Sequence, residues 1–124
     1  MKLKLFLTIA SLIAFFFGFG MLFAPEMLGS NFGVTLDQGG ILFAHSLGAL
    51  LLGLGTINWL SRDNSLQNLK PVLYGNLIVQ ALTGTIDFLG IQSGTLNSSA
   101  WVGIIIHILL GGGFAYFLYS KSAK

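Results

Sequence analysis

The chain has 124 residues, 54% hydrophobic and 8% charged, against roughly 25% charged in a soluble domain, a deficit that points to a membrane protein. Its six Lys and Arg against four Asp and Glu are scattered at segment ends, so they form no nucleic-acid footprint. There is no cysteine, which removes disulfides, thiolate metal sites and thiol redox chemistry, and no Walker loop, zinc-protease helix or nucleophile elbow is present.

The first apolar segment covers residues 3–24, behind Met1-Lys2-Leu3-Lys4. That start has the form of a signal peptide. The apolar run, however, exceeds the usual signal core of about 7–15 residues, and Leu22-Phe23-Ala24 lacks a small residue at the −3 position. The expectation is a retained transmembrane helix. Ala10, Ala14 and Gly18 recur every four residues, a stripe of small residues suited to close packing. Phe15, Phe16 and Phe17 cover the other directions, as lipid contact and core filling. Pro25 suits a helix first turn and Glu26 its positive dipole end. A short surface helix is therefore predicted over 25–30, broken by Gly29-Ser30-Asn31-Phe32-Gly33.

The second span covers 39–60, with His45 near its start and Asn58-Trp59 near its end. Gly48, Gly53 and Gly55 leave grooves for neighbouring helices, and Trp59 stands where an interfacial anchor belongs. A polar loop follows over 61–70, and Pro71 opens the third span, 71–92. After an uncharged turn over 93–99 comes the fourth span, 100–120. Trp101 marks one interface of that span, and Tyr116 and Tyr119 the other. Gly111-Gly112-Gly113 is expected to interrupt or kink it.

Spans of this length cross about 30 Å of hydrocarbon, and short connections favour antiparallel neighbours. The predicted fold is all-α: a membrane-embedded four-helix up-down-up-down bundle forming a single integral membrane domain over 1–124. Lys2, Lys4, Arg62, Lys70, Lys121 and Lys124 fall on one side of this arrangement, and Glu26 and Asp37 on the other. The positive-inside rule then makes both termini cytoplasmic, in a multi-pass protein of the inner (plasma) membrane.

One stripe carries chemistry. Asn76, Gln80, Thr83 and Asp87 are spaced i, i+4, i+7, i+11, which aligns them on one helix face. A carboxylate is costly in lipid, so this face should meet protein or water. At 1.5 Å per residue, His45 and His107 lie about 9 and 10 Å in from the outer side, and Asp87 about 7 Å. Gln80 is two turns deeper than Asp87, and Glu26 sits above them at the outer mouth. Gly103 and Gly111 flank His107 by one turn on each side, so that stripe is narrow and fit for inward packing. The candidate ligand pocket is therefore Glu26, His45, Gln80, Thr83, Asp87 and His107. Simpler roles stay open: Asp87 hydrating at the interface, each histidine satisfying one hydrogen bond as a neutral ring, and Asn76, Gln80 and Thr83 holding helices together.

Two imidazoles and a carboxylate suit a small amphipathic ligand, such as a lipid or a quinone head group, or a proton relay, since His titrates near neutrality. Two histidines at one depth also admit haem iron or a transition metal, although no local spacing specifies one. No catalytic residue and no metal site is assigned, and the cofactor is left open.

The glycine-rich end of the first segment runs into Phe23-Ala24-Pro25-Glu26, and the second opens with His45-Ser46-Leu47-Gly48. Trp101 and His107 start the last span, which ends glycine-rich over 111–119. With these features, over most of its length, the chain resembles the small DoxX-like four-helix membrane proteins of bacteria and related uncharacterised families. The resemblance implies a compact inner-membrane bundle and, in some relatives, association with quinone-linked oxidation. The lack of cysteine removes any thiol-dependent version, and no catalytic residue is carried across. Three readings follow: a bilayer protein binding a ligand or lipid, an accessory subunit or homo-oligomer docking through its glycine stripes on a larger membrane complex, and a quinone-linked membrane oxidoreductase. Enzymatic chemistry has no nucleophile, metal or cofactor signal behind it.

Overall fold

A computed structural model describes residues 2–120. Lys121 and Lys124, which enter the orientation argument, lie outside the described residues. The elements in order are α1 (Leu3–Phe23), α2 (Pro25–Asn31), α3 (Gln38–Ser61), α4 (Leu66–Gln92), a 3-10 turn (Ser98–Ala100) and α5 (Trp101–Tyr119), with no strand among the described residues. The chain divides into two compact units, Met1–Arg62 and Asp63–Lys124. Four helical stretches are long and apolar enough to cross a membrane: Leu3–Phe23, Gln38–Ser61, Leu66–Gln92 and Ser98–Tyr119. At most 33% of any of their apolar windows is buried within the protein, as expected where lipid covers the remaining faces. Phe16, Phe23, Leu42, Phe43 and Leu60 are among the large apolar side chains left exposed.

The first unit is a hairpin of α1 on α3. Its seam follows the small residues: Ala10, Ser11, Ala14 and Gly18 are buried on α1, and Ala44, Gly48 and Gly55 on α3. A methyl at Gly48 would fall 2.7 Å from the Gly18 carbonyl oxygen, and one at Gly55 would fall 2.8 Å from the Phe15 ring. Gly18 opposes Gly48 and Leu52, while Phe15 and Ser11 oppose Gly55; the register descends one helix as it climbs the other. Between lipid and helix there is little hydrophobic driving force, so this close van der Waals fit holds the pair. Hydroxyls inside the apolar stretches return their protons to the preceding turn: Ser11 donates to the Leu7 carbonyl at 2.7 Å and Thr56 to Leu52 at 2.8 Å. That leaves no bare hydroxyl donor in hydrocarbon.

The short helix α2 begins at Pro25 with Glu26 in its first turn, as the sequence indicates. It ends two residues before Gly33, which has φ 81°. Val34 N–H donates to the Gly29 carbonyl at 2.8 Å, and Gly33 N–H to Ser30 at 3.0 Å. This pair of bonds around a left-handed glycine closes the open carbonyls of a helix end. Gly29 therefore lies inside the helix rather than breaking it. Asp37 then caps α3 by accepting from Gly40 N–H at 2.7 Å, and Arg62 at the other end lies 3.7 Å over the Trp59 ring and donates to the Trp59 carbonyl at 2.7 Å.

The second unit pairs α4 with α5. Here the sequence expectation is corrected: α4 starts at Leu66, so Pro71 lies inside the helix instead of opening it. The reason is burial. Leu69 and Leu73 are almost completely enclosed, and with Asn76 and Gln80 they continue one buried stripe that extends the helix a turn ahead of the proline. The N–H that proline lacks would have met the Gln67 carbonyl, at a polar helix end where Gln67 and Asn68 are exposed. Gly94, at φ 76°, turns the chain after α4, and Leu96 folds back over Gly90. Asn97 accepts from Ser99 N–H at 2.9 Å to start the 3-10 turn. A second correction concerns Gly111-Gly112-Gly113: α5 runs through it unbroken, since glycine is tolerated within long apolar helices; Gly111 lies against Gln80 of α4.

Candidate functional site

The polar stripe of α4 faces His107 of α5. Gln80 and Asp87 are two helical turns apart, and the imidazole ring lies between them. His107 Nδ1 is 2.6 Å from Gln80 Oε1, and His107 Nε2 is 3.4 Å from Asp87 Oδ2. Thr83 Oγ1 lies 3.3 Å from Nδ1 and donates its own proton to the Val79 carbonyl. Asn76, one turn further along the stripe, donates to the Val72 carbonyl at 2.9 Å.

With the Gln80 amide oxygen turned to the ring, these contacts suit a hydrogen on Nδ1. The Thr83 proton is used on Val79, so its oxygen can only accept from Nδ1. Gln80 presents its carbonyl oxygen to the same nitrogen. In this arrangement both partners accept from Nδ1. The Gln80 amide nitrogen is then left without a hydrogen-bond partner among the described residues. The side chain is only 8% exposed, yet no polar side-chain atom of it is sealed off and unsatisfied. An amide N–H₂ facing open space inside an apolar stretch is a donor waiting for an acceptor.

Three glycines make room for the cluster. A methyl at Gly84 would lie 3.1 Å from His107 Cβ, one at Gly103 3.1 Å from Asp87 Oδ2, and one at Gly111 3.4 Å from Gln80 Cβ. Gly103 and Gly111 flank His107 as the sequence spacing indicates. Gly84 is the residue that sequence reasoning missed. Its signal was its register, four residues after Gln80 and three before Asp87, on the same face as both.

Beside the cluster runs an open groove between α4 and α5, with a volume of about 380 Å³. Leu77, Ala81, Phe88, Ile104 and Ile108 give it apolar walls, and Gln80 and His107 give it a polar patch. Thr85 also lines it, but its hydroxyl donates to the Ala81 carbonyl at 2.7 Å. The groove is open along one side, with apolar walls and its polar groups gathered at Gln80 and His107.

Of the six predicted pocket residues, Gln80, Thr83, Asp87 and His107 come together in the second unit. His45 and Glu26 belong to the first: His45 is half-buried on α3, and Glu26 is exposed in the first turn of α2. Among the described residues no three of His, Asp and Glu gather as metal ligands. Comparison of the chain with protein-family models, curated proteins and solved structures gave no match, so the site is read from its own geometry.

Proposed function

We propose that this is a multi-pass protein of the inner membrane that binds a small amphipathic ligand in the α4–α5 groove. The head group accepts a hydrogen bond from the Gln80 amide beside His107, and the apolar body lies along Leu77, Phe88, Ile104 and Ile108. The observation that carries this reading is the unpartnered Gln80 amide nitrogen at the wall of an otherwise apolar groove. An uncharged oxygen acceptor fits a site whose only ionisable side chains are His107 and Asp87.

The proposal includes four spans running up-down-up-down with both termini cytoplasmic. Support comes from Lys2 ahead of α1 and Lys4 in its first turn, Arg62 after α3 and Lys70 early in α4, with only Glu26 and Asp37 in the connection between α1 and α3. In that orientation the site lies in the outer half of the membrane. Kinship with the DoxX-like proteins is part of the same proposal, supported by the residue pattern alone. An accessory role would use the glycine stripes as docking surfaces. Packing within the two hairpins already occupies Gly18, Gly48, Gly55, Gly84, Gly103 and Gly111, which favours the ligand reading.

Ligand retention tests it. The protein is isolated in polymer-bounded membrane discs, and tightly held amphiphile is counted by mass spectrometry. Gln80→Leu removes one hydrogen bond of about 1 kcal/mol, or roughly five-fold in affinity. Gly112→Leu fills the groove from a position where an added methyl meets nothing. Both variants should lose bound amphiphile while keeping their helical content; equal retention in both would end the proposal. Because the chain has no native cysteine, Thr95→Cys offers a single label. It should react with an impermeant reagent from outside, and labelling from the cytoplasmic side alone would contradict the orientation.

A further inference from the structure

We propose that His107 and Asp87 form a proton-binding pair inside the membrane, holding one proton on Nε2 of His107 against Oδ2 of Asp87. Nδ1 faces two acceptors, Gln80 Oε1 at 2.6 Å and Thr83 Oγ1 at 3.3 Å, so it keeps its hydrogen. Nε2 faces a third acceptor, the carboxylate of Asp87, at 3.4 Å. A singly protonated ring would aim a bare lone pair at that carboxylate, and the two would repel. The contact is attractive when Nε2 also carries a hydrogen, which makes the ring an imidazolium with a donor for each acceptor.

Among the described residues of the second unit, no other charged group lies near this proton. Asp87 is the only acid that α4 turns toward the ring. The 3-10 turn carries no titratable group, and on α5 the nearest titratable groups are Tyr116 and Tyr119, more than two turns away. Lys70 lies toward the other end of α4, about 25 Å from Asp87 along the helix at 1.5 Å per residue, and Asp63 precedes that helix.

Taking up the proton forms one N–H bond at Nε2 and changes nothing else covalently. The pair goes from a net charge of −1 to zero. Because the His107 ring lines the groove, this proton also sets the charge that a head group meets there; that consequence rests on the groove being the ligand site. A neutral oxygen acceptor fits both states, whereas an anionic head group fits only the loaded one.

The test is ¹⁵N magic-angle-spinning NMR of histidine-labelled protein in lipid bilayers. The chain has two histidines, and His45→Ala assigns the remaining signal. With Asp87 in place, both nitrogens of His107 should carry hydrogen. In Asp87→Asn, only Nδ1 should, with Nε2 accepting from the new amide. The same protonation in both proteins, or a neutral ring with hydrogen on Nε2 and a bare Nδ1, would overturn the proposal. Should Asp87→Asn not fold, ¹³C-aspartate labelling of the unsubstituted protein decides: an ionised Asp87 carboxyl beside a doubly protonated ring supports the pair, and a protonated carboxyl overturns it. The spectra need no ligand in the groove, so failure here and failure of ligand retention are read separately.

Discussion

In the first hairpin, Gly18 and Gly48 bring one backbone onto another; in the second, Gly84, Gly103 and Gly111 bring backbone up to the side chains of His107, Asp87 and Gln80. The distinction matters because a backbone carbonyl cannot step aside, whereas the Asp87 carboxylate facing Gly103 can rotate; the Cβ atoms of His107 and Gln80, facing Gly84 and Gly111, are held by their own backbone. A stripe of small residues in a membrane sequence is therefore compatible with two roles. Where the facing helix offers another small residue, the stripe is a packing seam. Where it offers long polar side chains, the stripe is the room a site needs. The helix that carries the glycines does not reveal which role applies; the facing helix does.

That comparison can be broken by substitution. The largest effect is expected at Gly48. Gly48→Val puts its Cβ 2.7 Å from the Gly18 carbonyl oxygen, and the hairpin should lose about 3 kcal/mol, the upper range for overpacking. Detergent titration followed by circular dichroism would measure this; a loss under about 1 kcal/mol would mean that the backbones do not meet as described. Gly103→Ala comes next. Its methyl meets the Asp87 carboxylate at 3.1 Å, which can rotate, so the expected cost is about 1 kcal/mol, together with a displaced His107 ¹⁵N signal. A stability loss with an unmoved signal would remove the contrast between the hairpins. Gln80→Leu should cost about 1 kcal/mol by withdrawing the main acceptor from Nδ1. Gly53→Ala should change stability by less than about 0.5 kcal/mol, because nothing lies within 4 Å of an added methyl; a large loss there would show a neighbour that the packing of α3 does not account for.

Much of this was legible in the sequence. The four apolar stretches announce themselves by length, and the Ala10, Ala14 and Gly18 stripe by its period. The alignment of Gln80, Thr83 and Asp87 follows from helical spacing, and pairing that stripe with His107 follows from depth counted along the helices. Three things were not legible. The start of α4 depends on burial of Leu69, which outweighs the usual meaning of Pro71 as a first-turn residue. The continuity of Gly111-Gly112-Gly113 is not readable from the glycines themselves, which neither force nor forbid a kink in an apolar helix. The role of Gly84 depends on which side chain α5 presents opposite, a fact held in another segment of the chain. Depth arithmetic put His45 near the level of Asp87 and Glu26 above it at the outer mouth; both belong to the first unit.

His107 joins Gln80 and Asp87 across the α4–α5 interface, and a double-mutant cycle reads out the contact with Asp87. Asp87→Ala and His107→Ala are made singly and together, and stability is measured by detergent titration in lipid micelles. Polar contacts between membrane helices average about 0.6 kcal/mol in such cycles, with a maximum near 1.7. The contact geometry predicts a coupling of about 1 kcal/mol. Strictly additive losses, with coupling indistinguishable from zero, would mean that the two side chains do not interact and would contradict the account.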